Sequence, residues 1–345
     1  NNTAVGKDAG LLLQGAAASN TLVGSSAGVA LTTGIKNVAV GASALLTEDT
    51  GFWNTAVGFE ALKDLNHDAA GMNVAVGSYA SANVSSGTSN IAVGHLALSA
   101  VTTGTNNVAI GSSALTAGNS GESHHVAIGS SALAAMDGAA DGNVAIGSSA
   151  GASITTGAGN TVIGYKSADG ILTGEKNTVI GYEAYDDADG AESSSVVIGW
   201  AAGGSINHDS TANNVIIGTS AGSGGGAAMI GCVAIGSDAM DSTGANAQTG
   251  TIAIGQDALT ALTSGPGNVA IGYQAGDAMT ATGSTVIVGY QAGSAMNHTD
   301  ADGTVAVGYR ALQDLTSGGS NVAIGLNALK EITTQANNVA VGREA

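Results

Sequence analysis

The residues best suited to chemistry are acidic side chains grouped in loops. One loop reads Asp186-Asp187-Ala188-Asp189-Gly190, and related loops combine Asn, His and Asp: Asn66-His67-Asp68, Asn207-His208-Asp209 and Asn297-His298-Thr299-Asp300-Ala301-Asp302-Gly303. Ca²⁺ takes roughly six to eight oxygen ligands, so Asp186, Asp187 and Asp189 are the predicted ligands if the chain holds a cation. No loop has the full EF-hand or nonapeptide calcium pattern. Solvated turns are therefore the simpler interpretation, and no cofactor is expected.

Catalytic motifs do not emerge from the sequence. The histidines are too scattered to indicate a zinc site, and there is no nucleophile elbow, phosphate loop or H-E-x-x-H motif. A paired-carboxylate glycosidase site of the kind that tailspikes build between subunits stays open, but nothing singles out a pair. We therefore do not expect an enzyme.

The acidic loops belong to a repeat that runs through all 345 residues. The phrase N-V-A-I-G-S-S-A, for example, occupies both Asn107–Ala114 and Asn143–Ala150. Its glycine recurs every 17 to 19 residues, at Gly6, Gly24, Gly41, Gly58, Gly77, Gly94, Gly111, Gly129, Gly147, Gly164, Gly181, Gly199, Gly218, Gly236, Gly255, Gly272, Gly289, Gly308, Gly325 and Gly342. This period predicts one continuous solenoid array over residues 1–345. Because repeat arrays end in polar caps and none is evident, we expect a segment of a longer protein.

Each rung of the array begins with a short strand. With the glycine numbered zero, positions −3 to −1 are apolar or Thr in every copy, as in Val108, Ala109 and Ile110. A strand with one wet face would alternate apolar and polar residues, so both faces of this strand are expected to be buried. One face can pack inside its own rung. The other needs a partner surface, which predicts an oligomer.

The rest of the rung returns the chain to the next strand. Position −4 is Asn in fourteen of twenty copies, which predicts either a stacked amide ladder or local turn formation. Positions +3, +4 and +7 are mostly apolar, as in Ala61, Leu62 and Leu65. This favours a single helical turn in the Leu-bearing rungs and a more extended segment in the rungs with Gly at +4. Closing turns such as Thr32–Gly34 follow. The sequence predicts a parallel β-solenoid of about 20 rungs.

Aromatic residues cluster at position +1, directly after the glycine. Phe59 occupies this column, and so do six further side chains that we regard as possible receptor contacts: Tyr165, Tyr182, Trp200, Tyr273, Tyr290 and Tyr309. Exposed aromatic rings can stack on sugars or anchor to a protein. Packing against a neighbouring rung or subunit is the simpler interpretation, and Ser or Thr fills the column in many other copies.

The repeated N-x-[VA]-[VI]-G-x-x-A phrase resembles the head repeat of YadA-type trimeric autotransporter adhesins, and also arrays in phage tail fibres and bacterial surface fibres. The resemblance covers essentially the whole chain. It implies a left-handed parallel β-roll that trimerises, with the second strand face buried against sister subunits. Family repeats are usually shorter, so the rung shape and any binding specificity do not carry over automatically.

Composition narrows the function classes. The formal net charge of −18 argues against nucleic acid as a partner, and the apolar runs are too short to insert in a membrane. We expect an extracellular homotrimeric fibre, a surface adhesin or phage tail fibre, that attaches to a glycan or protein receptor on a host. The alternatives are a monomeric β-solenoid that binds ice or polysaccharide, and a glycan-degrading tailspike.

Overall fold

The computed structural model describes residues 1–117, 121, 123–138, 141–188, 190–244 and 246–345. They form two compact units, Asn1–Lys166 and Ser167–Ala345. In the described part of the first unit, the ten strands are Thr3–Val5, Thr21–Val23, Val38–Val40, Thr55–Val57, Val74–Val76, Ile91–Val93, Val108–Ile110, Val126–Ile128, Val144–Ile146 and Thr161–Ile163. The corresponding ten of the second unit are Thr178–Ile180, Val196–Ile198, Val215–Ile217, Val233–Ile235, Ile252–Ile254, Val269–Ile271, Val286–Val288, Val305–Val307, Val322–Ile324 and Val339–Val341.

Within each unit, successive strands pair in parallel at the same repeat position. Val38–Val40 is aligned residue for residue with Thr55–Val57, for example. The amide of Val38 donates to the carbonyl of Asn54 at 2.8 Å, and the amide of Gly58 donates to the carbonyl of Val40 at 2.8 Å. The second unit adds a two-stranded pairing of Met229–Ile230 with Gln248–Thr249. The predicted parallel β-solenoid of about 20 turns is confirmed.

Close approach of neighbouring rungs explains the repeat glycine. Gly24 has a φ of 137°, which L side chains rarely adopt, and a Cβ there would lie 2.5 Å from the carbonyl oxygen of Gly41. Any other residue would be strained and would also push the next rung away. The glycine therefore sets how closely consecutive rungs stack.

The interior of each rung is built from small and branched apolar side chains. The middle strand residue, such as Ala56, is fully buried, and so are Ala61, Leu62 and Leu65 at positions +3, +4 and +7. All three of these side chains point into the rung. Alanine at +3 leaves room for the larger side chains at +4 and +7.

The predicted helical turn is wrong. In the described residues the only helical element is a 3-10 turn at Thr299–Ala301, and positions +2 and +4 adopt left-handed backbone angles, as in Ser43 (φ 57°) and Leu45 (φ 52°). Their amides bond to neighbouring rungs: Ser43 donates to the carbonyl of Ser25 at 2.9 Å, and Leu45 to that of Ala61 at 3.0 Å. A helix would need these amides for bonds within the segment. Left-handed residues turn them toward the adjacent rungs instead.

The asparagine column forms a buried ladder that also holds the turns. The side-chain oxygen of Asn37 accepts from the main-chain N–H of Asn54 at 2.9 Å, and the N–H of Asn37 donates in the same way to Asn20 at 2.9 Å. The Asn37 side-chain amide donates to the carbonyl of Gly51 in the closing turn at 2.8 Å. Both expectations for Asn therefore apply, but these ladder bonds run from side chain to main chain.

Among the described residues, no helix is long and apolar enough to cross a membrane.

Candidate binding surface

The outer face of the strands is apolar and only partly covered. The first and third residues of each strand point away from the interior, and several of them are 37% to 40% exposed in the single chain: Val76, Ile91, Ile110, Ile146, Ile271, Val286 and Ile324. Scattered exposed apolar residues are ordinary on protein surfaces. Here they recur at fixed positions in successive rungs of each unit, and such continuous patches are typical of interaction sites.

Aromatic side chains at position +1 are exposed directly beyond the strand. The exposed fraction ranges from 38% for Tyr273 to 55% for Trp200, and the column also contains Phe59, Tyr165, Tyr182, Tyr290 and Tyr309. In the first unit the ring of Phe59 meets that of Tyr79 edge to face at 5.3 Å, while Lys166 lies over the ring of Tyr165 at 5.9 Å. The possible receptor contacts are therefore accessible in the single chain.

Three of these side chains stack on one another. The rings of Tyr273 and Tyr290 are 5.2 Å apart and 18° from parallel, and those of Tyr290 and Tyr309 are 5.3 Å apart and 10° from parallel. The guanidinium of Arg310 lies 5.1 Å from the centre of the Tyr309 ring. Because the faces between the rings are occupied, the tyrosines offer ring edges and hydroxyls to a ligand. Packing against a neighbouring rung was the simpler expectation for these residues. It describes the ring faces, whereas the ring edges stay exposed.

A line of bonded polar side chains runs beside the tyrosine stack at position +2. The side-chain amide of Gln291 donates to the side-chain oxygen of Gln274 at 2.9 Å. Nε of Arg310 donates to the side-chain oxygen of Gln291 at 3.2 Å, and the amide of Gln313 reaches the same oxygen at 3.2 Å. These contacts fix long side chains that would otherwise move freely at the surface.

Comparison with known proteins assigns no family to this surface. Neither protein-family models nor curated protein sequences match the chain. The function is therefore inferred from the arrangement of the residues themselves.

The predicted cation ligands lie in one loop of the second unit. Asp186 is half-buried and Asp187 is exposed, while Asp189 lies outside the described residues. Burial, and then the negative charge of Asp187, raises the pKa of the Asp186 carboxyl. Among the described residues, no three His, Cys, Asp or Glu side chains are grouped so that they could hold a metal ion. The calcium site stays a prediction.

Acidic side chains in the other loops bind neighbouring rungs. The carboxylate of Asp302 accepts from the main-chain N–H of Gly283 at 2.8 Å. That of Asp68 accepts from the hydroxyl of Thr50 at 3.0 Å, and that of Asp209 from the N–H of Ala191 at 3.4 Å. These oxygens thus have a structural role in connecting loops along each unit.

Two fully buried glutamates were not anticipated from the sequence. Glu48 accepts from the N–H of Gly51 at 2.6 Å and from that of His67, one rung later, at 3.3 Å. Glu192 repeats the arrangement, accepting from the N–H of Gly190 and of His208, each at 3.2 Å. Both histidines lie in 19-residue rungs, whose extra loop residues bring additional N–H groups inward. In the sequence, a glutamate in the rung that precedes a 19-residue rung would have indicated such a buried carboxylate.

Proposed function

We propose that the chain is part of an extracellular homotrimeric fibre, on a bacterial surface or a virion, that attaches its carrier to a host surface. The chain would supply the shaft or head of such a fibre, as a tail fibre or adhesin does. Its β-solenoid would be left-handed, and its binding partner would be a glycan or protein receptor on the host.

The observation that carries this proposal is the outer apolar face of the strands. Covering a half-exposed Val or Ile column removes apolar surface from water and is favourable by roughly 25 cal/mol per Å². A second copy of the chain is the partner that matches it best, because it presents the same columns at the same rung spacing. The acidic surface elsewhere, with a net charge of −18, disfavours association by other faces.

The number of subunits follows from the resemblance to trimeric adhesin heads. In that arrangement each strand packs on its own rung with one face and on sister subunits with the other. The half-exposed residues are those that such packing would cover. A trimer also has no open apolar side on which further chains could add.

Chemical cross-linking tests which face is covered. In a Cys232→Ser background, which removes the one natural cysteine, Val288→Cys places a thiol on the outer strand face. A short thiol cross-linker should then join two chains into a product of 65.8 kDa, twice the chain mass of 32.9 kDa. Asn297→Cys, an exposed loop position in the same rung, is the matched control and should stay uncross-linked.

Equal cross-linking of both variants, or none at Val288→Cys, would contradict the proposed packing. A chain that stays single and binds polysaccharide or ice would support the monomeric module. Hydrolysis of a host polysaccharide would support the tailspike alternative.

A further inference from the structure

The tyrosine stack and its polar neighbours form a surface that differs from the Ser-bearing rungs of the repeat. Position +1 is Ser in several rungs, as in Ser112, Ser130 and Ser148, so the fold does not require an aromatic ring there. In the second unit three consecutive rungs nevertheless have Tyr273, Tyr290 and Tyr309. The buried positions of these rungs have the same residue types as in other rungs. The aromatic residues at position +1 therefore change only the exposed surface.

The spacing of the stacked rings is set by the rungs. Ring centres 5.2 Å and 5.3 Å apart present one phenol edge and one hydroxyl per rung. In an extended β-linked polysaccharide, consecutive sugars repeat at about the distance between rungs in a parallel sheet, roughly 5 Å. A sugar chain lying along the stack could therefore place one residue against each tyrosine.

The neighbouring polar side chains are arranged to donate hydrogen bonds. Arg310 forms no ion pair within the described part of the chain, and its Nε bond to Gln291 leaves the terminal guanidinium nitrogens to bind a ligand. The amide of Gln274 likewise accepts from Gln291 through its oxygen and keeps its N–H groups. Because these side chains are already held in place, a ligand would lose less conformational entropy on binding.

Charge decides which polysaccharide fits. The chain has a net charge of −18, so a polyanion would be repelled by the protein as a whole despite the presence of Arg310. An uncharged sugar chain accepts and donates hydrogen bonds through hydroxyls without this penalty. An extended chain also keeps its register with the rungs, whereas a coiled one loses it.

We propose that Tyr273, Tyr290 and Tyr309, with Gln274, Gln291 and Arg310, bind an uncharged, extended polysaccharide along the stack. The ligand lies across the ring edges and hydrogen-bonds to the phenol hydroxyls, the Gln274 amide and the guanidinium. This rests on the proposed function, because it names the chemical class of the receptor to which the fibre attaches.

Isothermal titration of the full chain with cellohexaose, an uncharged and extended oligosaccharide, tests the proposal. Binding is expected, with about tenfold weaker affinity after Tyr290→Ser or Arg310→Gln. Phe59→Ser removes an aromatic side chain from the same rung position in the other unit and should leave binding unchanged. Because Ser is native to this position, Tyr290→Ser should keep its fold, which circular dichroism checks.

Two further ligands make the result specific. Maltohexaose, which is uncharged but coiled, and oligogalacturonate, which is acidic, should bind at least about tenfold more weakly than cellohexaose. Absence of cellohexaose binding, equal binding of either comparison ligand, or equal loss in Phe59→Ser would overturn the proposal. Mass measured on the same samples separates the two hypotheses: a trimer without binding overturns only the glycan site, and a single chain that binds overturns only the fibre.

Discussion

At the scale of single residues, the buried polar side chains hold the rungs together. Asn37 is fully buried, and its three bonds connect the preceding rung, the following rung and the closing turn. A buried polar group is tolerated only when it is hydrogen-bonded. The thin apolar interior therefore depends on this column for both its register and its closure.

Asn37→Ala should destabilise the first unit. The change leaves the N–H of Asn54 and the carbonyl of Gly51 buried without these partners, at a cost of about 1 to 3 kcal/mol each. Urea denaturation should show a loss of about 2 to 6 kcal/mol in the free energy of unfolding, and hydrogen exchange should quicken at Asn54. Asn83→Ala, an exposed position, is the control; an equally large effect there would contradict the role of the ladder.

Glu48 predicts a specific pH dependence. Burial is the main cause that raises the pKa of its carboxyl above the ordinary value of 4.5, against the opposing hydrogen bonds from Gly51 and His67. Because the pKa is higher in the folded state, the folded protein holds this proton more tightly than the unfolded one. The stabilising contribution is therefore present below the unfolded pKa and is lost as the pH rises through the folded pKa.

Relative to Glu48→Gln, the wild-type protein should thus lose stability as the pH rises from 4.5, the ordinary pKa, through the higher pKa of the folded state. Denaturation curves of both proteins across this range measure the difference. Glu331→Gln, at an exposed position, corrects for the removal of one negative charge. The opposite result, in which wild type gains stability relative to Glu48→Gln as the pH rises, would contradict this prediction. It would show that the site stabilises the charged carboxylate.

At the scale of the elements, the left-handed residues determine the rung shape. Periodicity predicts the strand positions and the inward side chains, since both follow from residue type. The helical expectation failed because Leu at position +4 is a good helix former, yet Leu45 has a φ of 52°. Main-chain hydrogen bonds to adjacent rungs outweigh the helix preference of Leu there. The sequence of a single rung does not reveal these bonds. The two buried glutamates escaped prediction for a similar reason, because each accepts one of its hydrogen bonds from a residue one rung away.

Substitutions at Ser43 test the left-handed backbone directly. A β-branched side chain is poorly tolerated at a φ of 57°, so Ser43→Val should be less stable than Ser43→Gly by about 1 to 2 kcal/mol. Thermal or urea unfolding measures the difference. Ser25→Val and Ser25→Gly, at the neighbouring exposed column, form the control pair and should not show this penalty.

At the scale of the whole molecule, apolar attraction and charge repulsion oppose each other. Three chains together would have a formal charge of −54, three times −18. The apolar outer face of the strands must overcome this repulsion for the chains to associate. Salt screens charges over a Debye length of about 10 Å at 0.1 M, whereas it does not weaken apolar contacts.

Raising the salt concentration should therefore strengthen the assembly. Sedimentation equilibrium at about 20 mM and about 500 mM NaCl should show the trimer persisting to lower protein concentration at the higher salt. Dissociation by salt would instead indicate an interface held by ion pairs. That result would contradict the proposal that the outer apolar face of the strands holds the chains together.

The most direct test of the account is the mass of the protein in solution, measured by light scattering during size-exclusion chromatography. Burial of the outer strand face between sister chains predicts 98.7 kDa, three times the single-chain mass of 32.9 kDa. A mass of 32.9 kDa at micromolar concentration, with the strand-face valines and isoleucines open to solvent, would contradict it.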